Sequence, residues 1–589
     1  MRGCVEGIAV DLSLTDLITS PSDDIARDLQ RIGITVNKIV LDQQAYSDAE
    51  KEGNFNVLFT RTWGAPYDPH SYFSSWSVPS HAEYQAAGAL EAPMTRELLL
   101  EMITDVLKQT SRTELRKQWR VILEEVHKQA MFLPLWGTRV PYVLNRRLGG
   151  FSPGAETYRY DLLPVRVFSG NKNVTVSPGV SGGIFESAGN LHPHQYLPNQ
   201  FFAQGWMYET LVGYGQDGAP TPMLATKWTS EDLPNGGERV AFELREGVKF
   251  HDGTDFNCTV AKLNFDHVLS DIVKQRHAWM GIVDVLTSWT CNEKGDFILE
   301  TKEKFYPLLQ ELSYIRPLAF ASAASFEQGL NSDPDDHNSC HPGTLEDRYP
   351  DSGLRCAGLL APSGTGPFKF VSRKPSADGT VDTEVVFARH DDYWSPEKPD
   401  IEFIKVVYYE DQEKVEAALL TEELDMALGI GPLTAQQVQD LKFNHADIVD
   451  VQHSEVLQHA ILIFNTAKSP TDDISTRQAI IHAVNKAPFV EDEFAGLEQP
   501  VNQLFPYSAP FCDVDLSPAW GFDLDKALLL NCPIESSGSD ELSTGAIAGI
   551  VISATVAVAL GLCVIRMVMR EKSGKPLFAP ENANKGETA

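Results

Sequence analysis

The chain has 589 residues, 43% of them hydrophobic and 10% aromatic, with 49 Lys and Arg against 81 Asp and Glu. That length serves roughly two to four lobes of ordinary size. The net charge of −32 excludes a nucleic-acid binder, because phosphate recognition needs a basic footprint.

In chain order, Ile25, Leu29 and Ile32 share one helical face, Gly33 can cap that helix, and ITVNKIVL reads as a strand. FNVLFTRTW is a second strand, and it runs directly into RTWGAPYDPHSYFSSWSVPSH, Arg61 to His81. That stretch holds two Trp, two Tyr, one Phe, two His and three Pro. A surface loop gains little from exposed rings, so this one is either core or cleft wall. Leu98, Leu99, Met102 and Val106 mark a further helix. Ser111 and Glu114 form a capping box for the next, with Leu115, Trp119, Ile122 and Val126 on its buried face. MFLPLW is a buried strand. The alternation of helix and strand gives the α/β class.

From about Val167 the texture changes. NVTVSPGVSGG reads as a loose start carrying a sequon. RVAFELREGVKFHDG alternates as a strand and turns on Asp-Gly; FILETKEKF, EVVFARHDDYW and IEFIKVVYYE are further strands. Residues 329–360 form a polar insert, STRQAIIHAVNK is a capped helix, and 533–544 is a linker.

Of eight cysteines (Cys4, Cys258, Cys291, Cys340, Cys356, Cys512, Cys532 and Cys563), none forms a CxxC pair, which removes zinc ribbons and thioredoxin-type motifs. Cys340 and Cys356 flank the polar insert, either as a disulfide or as two thiols. Gly545 to Ile565 is uncharged and long enough to span a bilayer. Arg566, Arg570, Lys572 and Lys575 follow it, so the positive-inside bias places residues 566–589 in the cytoplasm and the large N-terminal part outside or in a lumen. Sequons at Asn173 and Asn257 fit that side as glycosylation positions. The first residues contain no signal peptide, so the expected chain is a piece of something longer or begins at an unnatural start. No GxSxG elbow, HExxH or Walker loop is present, and the expectation is a non-enzyme.

GVKFHDGTDFNCTVAKLNFDHVL, GTGPFKF, HDDYW, FNTAKSP and RQAIIHAVNK resemble, in family order, the extracytoplasmic solute-binding proteins of the peptide/nickel class, family 5. RTWGAPYDPH, VPSH, KQRHAW and NLHPHQYLPNQ resemble its nickel-binding members. The order is rotated: residues 1–166 resemble the C-terminal part of the family's domain, residues 167–532 the N-terminal part. The chain is thus either a circular permutant or a slice of a tandem array. The resemblance implies a two-lobed periplasmic-binding-protein fold, one lobe from about 167–445 plus 140–166 and the other from about 455–532 plus 1–139. It also implies that nickel arrives chelated by a small organic acid or amino acid. His81 would be the metal ligand, Arg276 and Arg316 would clamp the chelator's carboxylates, and Trp279, Trp63, Tyr67 and Tyr196 would wall the pocket. A neutral imidazole suits Ni²⁺, planar guanidinium forks suit carboxylates, and protons would compete for His81. His192 and His194, flanking Pro193, look like a metal pair but more often serve another role in such a loop; His251, Asp68 and Asp252 read as turn residues. A membrane permease of the ABC type is the partner implied. The rival readings are a peptide or haem binder on the same fold, and a membrane-anchored receptor or adhesion protein.

Overall fold

Ala9–Thr15 (β1) is buried on nearly every residue after the first, whereas Thr35–Leu41 (β2) is largely exposed. That contrast fits a strand inside a sheet beside one at its edge, and the two pair in parallel. The computed structural model describes residues 8–15, 21–180, 183–189, 191–194, 200–270, 273–330 and 362–531. In the next stretch the strand Val57–Arg61 (β3) and the long strand Phe132–Asn145 (β4) follow. Beyond Val167 come Asn173–Val180 (β5), Phe368–Pro375 (β6), Asp382–Arg389 (β7), Phe403–Val407 (β8), Met426–Leu428 (β9) and Val449–Phe464 (β10). These ten follow one path in a twelve-stranded mixed sheet, in the order β6-β7-β8-β5-β9-β4-β10-β3-β1-β2. Strands from the N-terminal 166 residues therefore interleave with strands from the part after it.

The join is made by β4 and β10, of 14 and 16 residues. They pair antiparallel from Val449↔Asn145 to Ile463↔Phe132, with register shifts between His453 and Val456, between Val456 and Gln458, and between Ala460 and Ile461. At one end β4 takes β9 as its other neighbour; at the opposite end β10 takes β3. Shifts of this kind bend a strand and sharpen its twist. They fall where the sheet passes between two groups of cores. Val10, Leu133, Trp136, Leu462 and Ile480 pack on one face of the β1–β3 end, and Leu58, Trp76, Trp119, Ile461 and Phe505 on the other. At the far end Val174, Val176, Trp206, Ile404 and Met426 cluster, with Val143, Leu419, Leu424 and Val449 opposite. A third body forms round a four-stranded antiparallel sheet, Ala225–Asp232, Glu238–Leu244, Phe297–Thr301 and Leu286–Cys291, whose core includes Phe242, Phe265, Trp279 and Tyr314.

Several expectations change here. NVTVSPGVSGG is not a loose start: β5 lies between β8 and β9, parallel to both, with Val174 and Val176 buried. MFLPLW is only the first part of β4. At Arg112–Lys128 the Ser111 hydroxyl accepts the Glu114 amide at 3.4 Å, one half of the expected capping box. The disulfide found among the described residues joins Cys258 to Cys291, 33 positions apart. Cys340 and Cys356 lie outside the described residues, as do Tyr196 and the segment 545–565. Among the described residues no helix is long and apolar enough to cross a membrane.

Candidate functional site

The aromatic stretch after β3 does not form an independent loop. Asp68 ties its start, accepting the Trp63 amide at 3.2 Å and the Gly64 amide at 2.8 Å. Burial nevertheless pushes the Asp68 carboxyl up to about 7. Gly64 has φ +76°, and a Cβ there would stand 2.1 Å from Thr157 Oγ1, so only glycine fits between this turn and the 150s segment. The turn folds back onto the third core body. Tyr67 is 4% exposed and belongs to the same apolar cluster as Trp279, which is 6% exposed.

Trp63 is the hub. Its ring centroid lies 5.4 Å from Trp279, 5.7 Å from Tyr72, 6.4 Å from Tyr67 and 6.1 Å from the His81 imidazole. These edge and tilted arrangements are the favourable ones for aromatic pairs. From Tyr67 the series continues to Tyr314 at 4.4 Å and Tyr158 at 6.4 Å. Tyr158 stacks on Phe201 at 4.6 Å, and the Arg316 guanidinium carbon sits 3.8 Å over the same Phe201 ring. His81, Trp63, Tyr67, Trp279 and Arg316 thus fall on one continuous run of rings, drawn from the N-terminal part of the chain and from the part after it. Arg276 lies in the 3₁₀ turn Lys274–His277, next to Trp279 in sequence, and its side chain is outside the described structure.

His81 is half-buried at the N-cap of the short helix Ala82–Ala86, and its side chain makes no capping bond there. Burial lowers its pKa, and Glu83 offsets part of that. The imidazole is therefore held neutral, the form that can donate electrons to a metal. Among the described residues no group of three His, Cys, Asp or Glu could hold a metal ion.

Polar contacts close the junction. Gln310 Nε2 donates to Pro66 O at 2.6 Å, the Tyr314 hydroxyl lies 2.7 Å from both Ser71 Oγ and His70 Nε2, and Glu311 accepts from Gly281 N at 3.1 Å and Ile282 N at 2.8 Å. Trp119 Nε1 donates to Tyr306 Oη at 3.1 Å. Tyr158, Phe201 and Tyr314, which also stand in this run of rings, were not singled out in the sequence: each lies in a stretch with no motif, and only tertiary proximity brings it here.

The other histidines have structural partners. His194 Nδ1 lies 2.7 Å from His267 Nδ1, and its Nε2 lies 3.1 Å from Ala319 O; His192 Nδ1 accepts the His194 amide at 3.1 Å. His192 and His194 are therefore part of a buried three-imidazole cluster with His267. His251 Nε2 contacts Gly366 O at 3.0 Å, and Asp252 Oδ1 accepts from Thr254 N at 2.9 Å, both as turn residues. Asn173 is exposed at the start of β5. Asn257, also exposed, is the N-cap of Cys258–Val268, with its Oδ1 accepting Val260 N at 3.1 Å.

Residues 219–531 match the family model described as bacterial extracellular solute-binding proteins, family 5 Middle. The chain is 32% identical over 345 residues to the nickel-binding periplasmic protein of Escherichia coli (strain K12), covering 58% of each. It is 24% identical over 321 residues to the glutathione-binding protein GsiB of Pectobacterium atrosepticum, covering 54% of each. Against heme-binding protein A of Haemophilus influenzae it is 26% identical over 284 residues, 47% of this chain and 46% of that protein. The matched stretches thus span about half the length of these relatives. A crystal structure of NikA from Brucella suis in complex with Fe(III)-EDTA aligns over 61% of this chain and 63% of that one, with 29% identity and a TM-score of 0.47. The family model covers more than half of the sequence, and the chain belongs to family 5 of the bacterial extracellular solute-binding proteins.

Proposed function

We propose that this chain captures nickel already held by a small organic or amino-acid chelator, or a similar metal chelate, outside the cytoplasm for uptake or sensing. The two groups of cores act as lobes that close over the ligand, with β4 and β10 as the hinge. One observation carries the reading: His81, Trp63 and Tyr67 from the N-terminal third share one run of rings with Trp279 and Arg316 from the part after it. Aromatic walls exclude water, which strengthens every charge interaction between them. His81 supplies one neutral nitrogen to the metal, and Arg316, with Arg276, takes the chelator's carboxylates. Tyr196 as a further pocket residue, glycans at Asn173 and Asn257 and a membrane tether at 545–565 complete the proposal.

Calorimetric titration with a nickel–histidine complex tests it. We expect saturable binding that weakens at least about tenfold in His81→Ala, since deleting a metal ligand costs no less than losing one of its supporting groups. Saturable binding of glutathione, a dipeptide or haem, with none of nickel–histidine, would instead select the rival ligands. Equal nickel affinity in the mutant removes His81 as the ligand.

A further inference from the structure

Two distant points of the chain meet at one corner of the large sheet. The helix Leu524–Asn531 finishes on Asn531, which is 2% exposed and whose Nδ2 donates to Ile32 O at 2.7 Å. Ile32 stands in the turn that follows the helix Ser22–Gln30. The Ile32 and Ile34 amides both donate to Leu29 O at 3.1 Å, and Gly33 between them has φ +85°, the left-handed conformation that suits glycine. The turn delivers the chain to β2, where the Thr35 amide donates to Ile8 O at 2.9 Å and the parallel register starts at Ala9↔Thr35. Ile8 and Asn531 thus lie at the same end of β1 and β2, with the turn Ile32–Thr35 between them.

Cys532 is the residue after Asn531, and Cys4 stands four residues before Ile8. Paired strands lie about 4.8 Å apart, and the three steps from Ile32 to Thr35 span at most about 11 Å when extended; here they fold back on Leu29. Four extended residues reach about 14 Å, enough to bring Cys4 within the roughly 4.4–6.8 Å between Cα atoms that a disulfide takes. The other cysteines leave these two to each other. Cys258 is bonded to Cys291. Cys512 is a buried thiol, 3.5 Å from Pro510 O, and burial raises its pKa well out of the range of thiolate exchange. Cys340 and Cys356 flank one polar insert, and Cys563 belongs to the uncharged stretch 545–565. The Cys258–Cys291 bridge is itself of the kind that persists in oxidising surroundings.

We propose that Cys4 and Cys532 form a disulfide that closes residues 4–532 into one covalent ring. Its formation breaks two S–H bonds and makes one S–S bond; the two protons and two electrons pass to a disulfide oxidant such as oxidised glutathione, which leaves as two thiols. Among the described residues β1 pairs with β3 at Leu12↔Val57 and Ser13↔Leu58, and β2 is the edge of the sheet. The bond fastens this thinly joined corner to a helix from the part after residue 166. The N-terminal part is then held covalently twice, through the joint Phe168–Asn173 and through Cys4. This goes beyond the capture reading and does not rest on it.

The test uses the full chain, passed through an oxidising compartment, with free thiols blocked by N-ethylmaleimide at lysis and the protein purified in detergent. After limited proteolysis at the exposed joint Phe168–Asn173, the product should keep the mass of the whole chain on a non-reducing gel and fall into two fragments once dithiothreitol is added. Peptide mapping without reductant should give a crosslinked pair containing Cys4 and Cys532, both free of maleimide. In Cys4→Ser or Cys532→Ser the fragments should separate without reductant. Wild-type fragments that separate without reductant overturn the assignment, as does maleimide on either sulfur. So does a mapped pair that joins Cys4 or Cys532 to Cys340 or Cys356, a non-reducing band at twice the chain mass, or a Cys4→Ser chain whose fragments stay joined. The mapping reads the unmodified chain, so a variant that fails to fold does not blunt it. No ligand enters these measurements, and their failure leaves the capture reading where it was.

Discussion

Glu311 shows how one side chain ties the junction to solution pH. Its carboxyl accepts two backbone amides at the start of the Ile282–Val285 turn and lies 3.5 Å from Ser71 Oγ of the facing segment. Those bonds favour the charged form, but burial outweighs them and pushes the group up to about 8. An acid with a raised folded pKa keeps its proton in the native state after the unfolded chain has lost it near 4.5. Its stabilising contribution is complete below about 4.5 and is lost as pH rises through about 8. Glu50 and Glu498, both pushed up to about 8, act in the same window. The buried imidazoles act in another: His251 is lowered to about 3 and His459 to about 4, so their stabilisation is complete above about 6.5 and is lost as pH falls below it. Above about pH 7 Lys486, lowered to about 7 by burial, acts in the opposite sense, but the three acids outweigh it between pH 6.5 and 8, and the melting temperature should fall across that interval. Glu311→Gln should flatten the fall, read by calorimetry at half-unit steps; an unchanged slope would show that Glu311 is not protonated in the native state.

At the scale of single elements, the sequence was most legible where a segment carries its own pattern. The helix Arg112–Lys128 has Leu115, Trp119, Ile122 and Val126 buried, as their spacing requires, and Asp68 closes the expected turn. β5 was misread because its order comes from strands more than 200 positions away, and Asn173, Ser177 and Pro178 mask the alternation of Val174 and Val176. The Cys258–Cys291 bridge was illegible for a related reason: no motif pairs the two residues, and the fold alone brings their Cα atoms to 5.8 Å. It fastens the first turn of Cys258–Val268 to the strand Leu286–Cys291. Closing a loop of that length stabilises by about 4 kcal/mol in the chain-entropy model. Replacing both cysteines with alanine should lower the unfolding free energy by roughly that amount, measured by denaturant titration. A loss below about 1 kcal/mol would mean that the bridge constrains little in the unfolded chain.

For the molecule as a whole, the two parts of the chain are joined in the sheet. β4 lies between β9 and β10, and β3 beside β10, so the N-terminal part is bound to the rest by backbone ladders rather than by side-chain contacts alone. The covalent joint runs through Phe168 to Asn173, six consecutive exposed residues. Limited proteolysis there should leave two fragments that co-elute and still bind the nickel–histidine probe. Fragments that separate in native buffer would show that the joint is needed to hold the sheet. The two-lobed class was legible from motifs, and so were Trp63, Tyr67 and Trp279 of the run of rings; Tyr158 and Tyr314 were not, because what marks them is an encounter across the two parts of the chain.

The cap at Asn257 has a consequence for biosynthesis. Its amide oxygen is engaged by Val260 N, and the next residue is tethered by the disulfide. An enzyme attaching sugar to the Asn257 nitrogen must first draw that side chain out of the helix end, against a crosslink one position away. Were a sugar attached there, it would be attached to the nascent polypeptide, before the Cys258–Cys291 bridge forms, and a chain that matures quickly would leave this sequon bare.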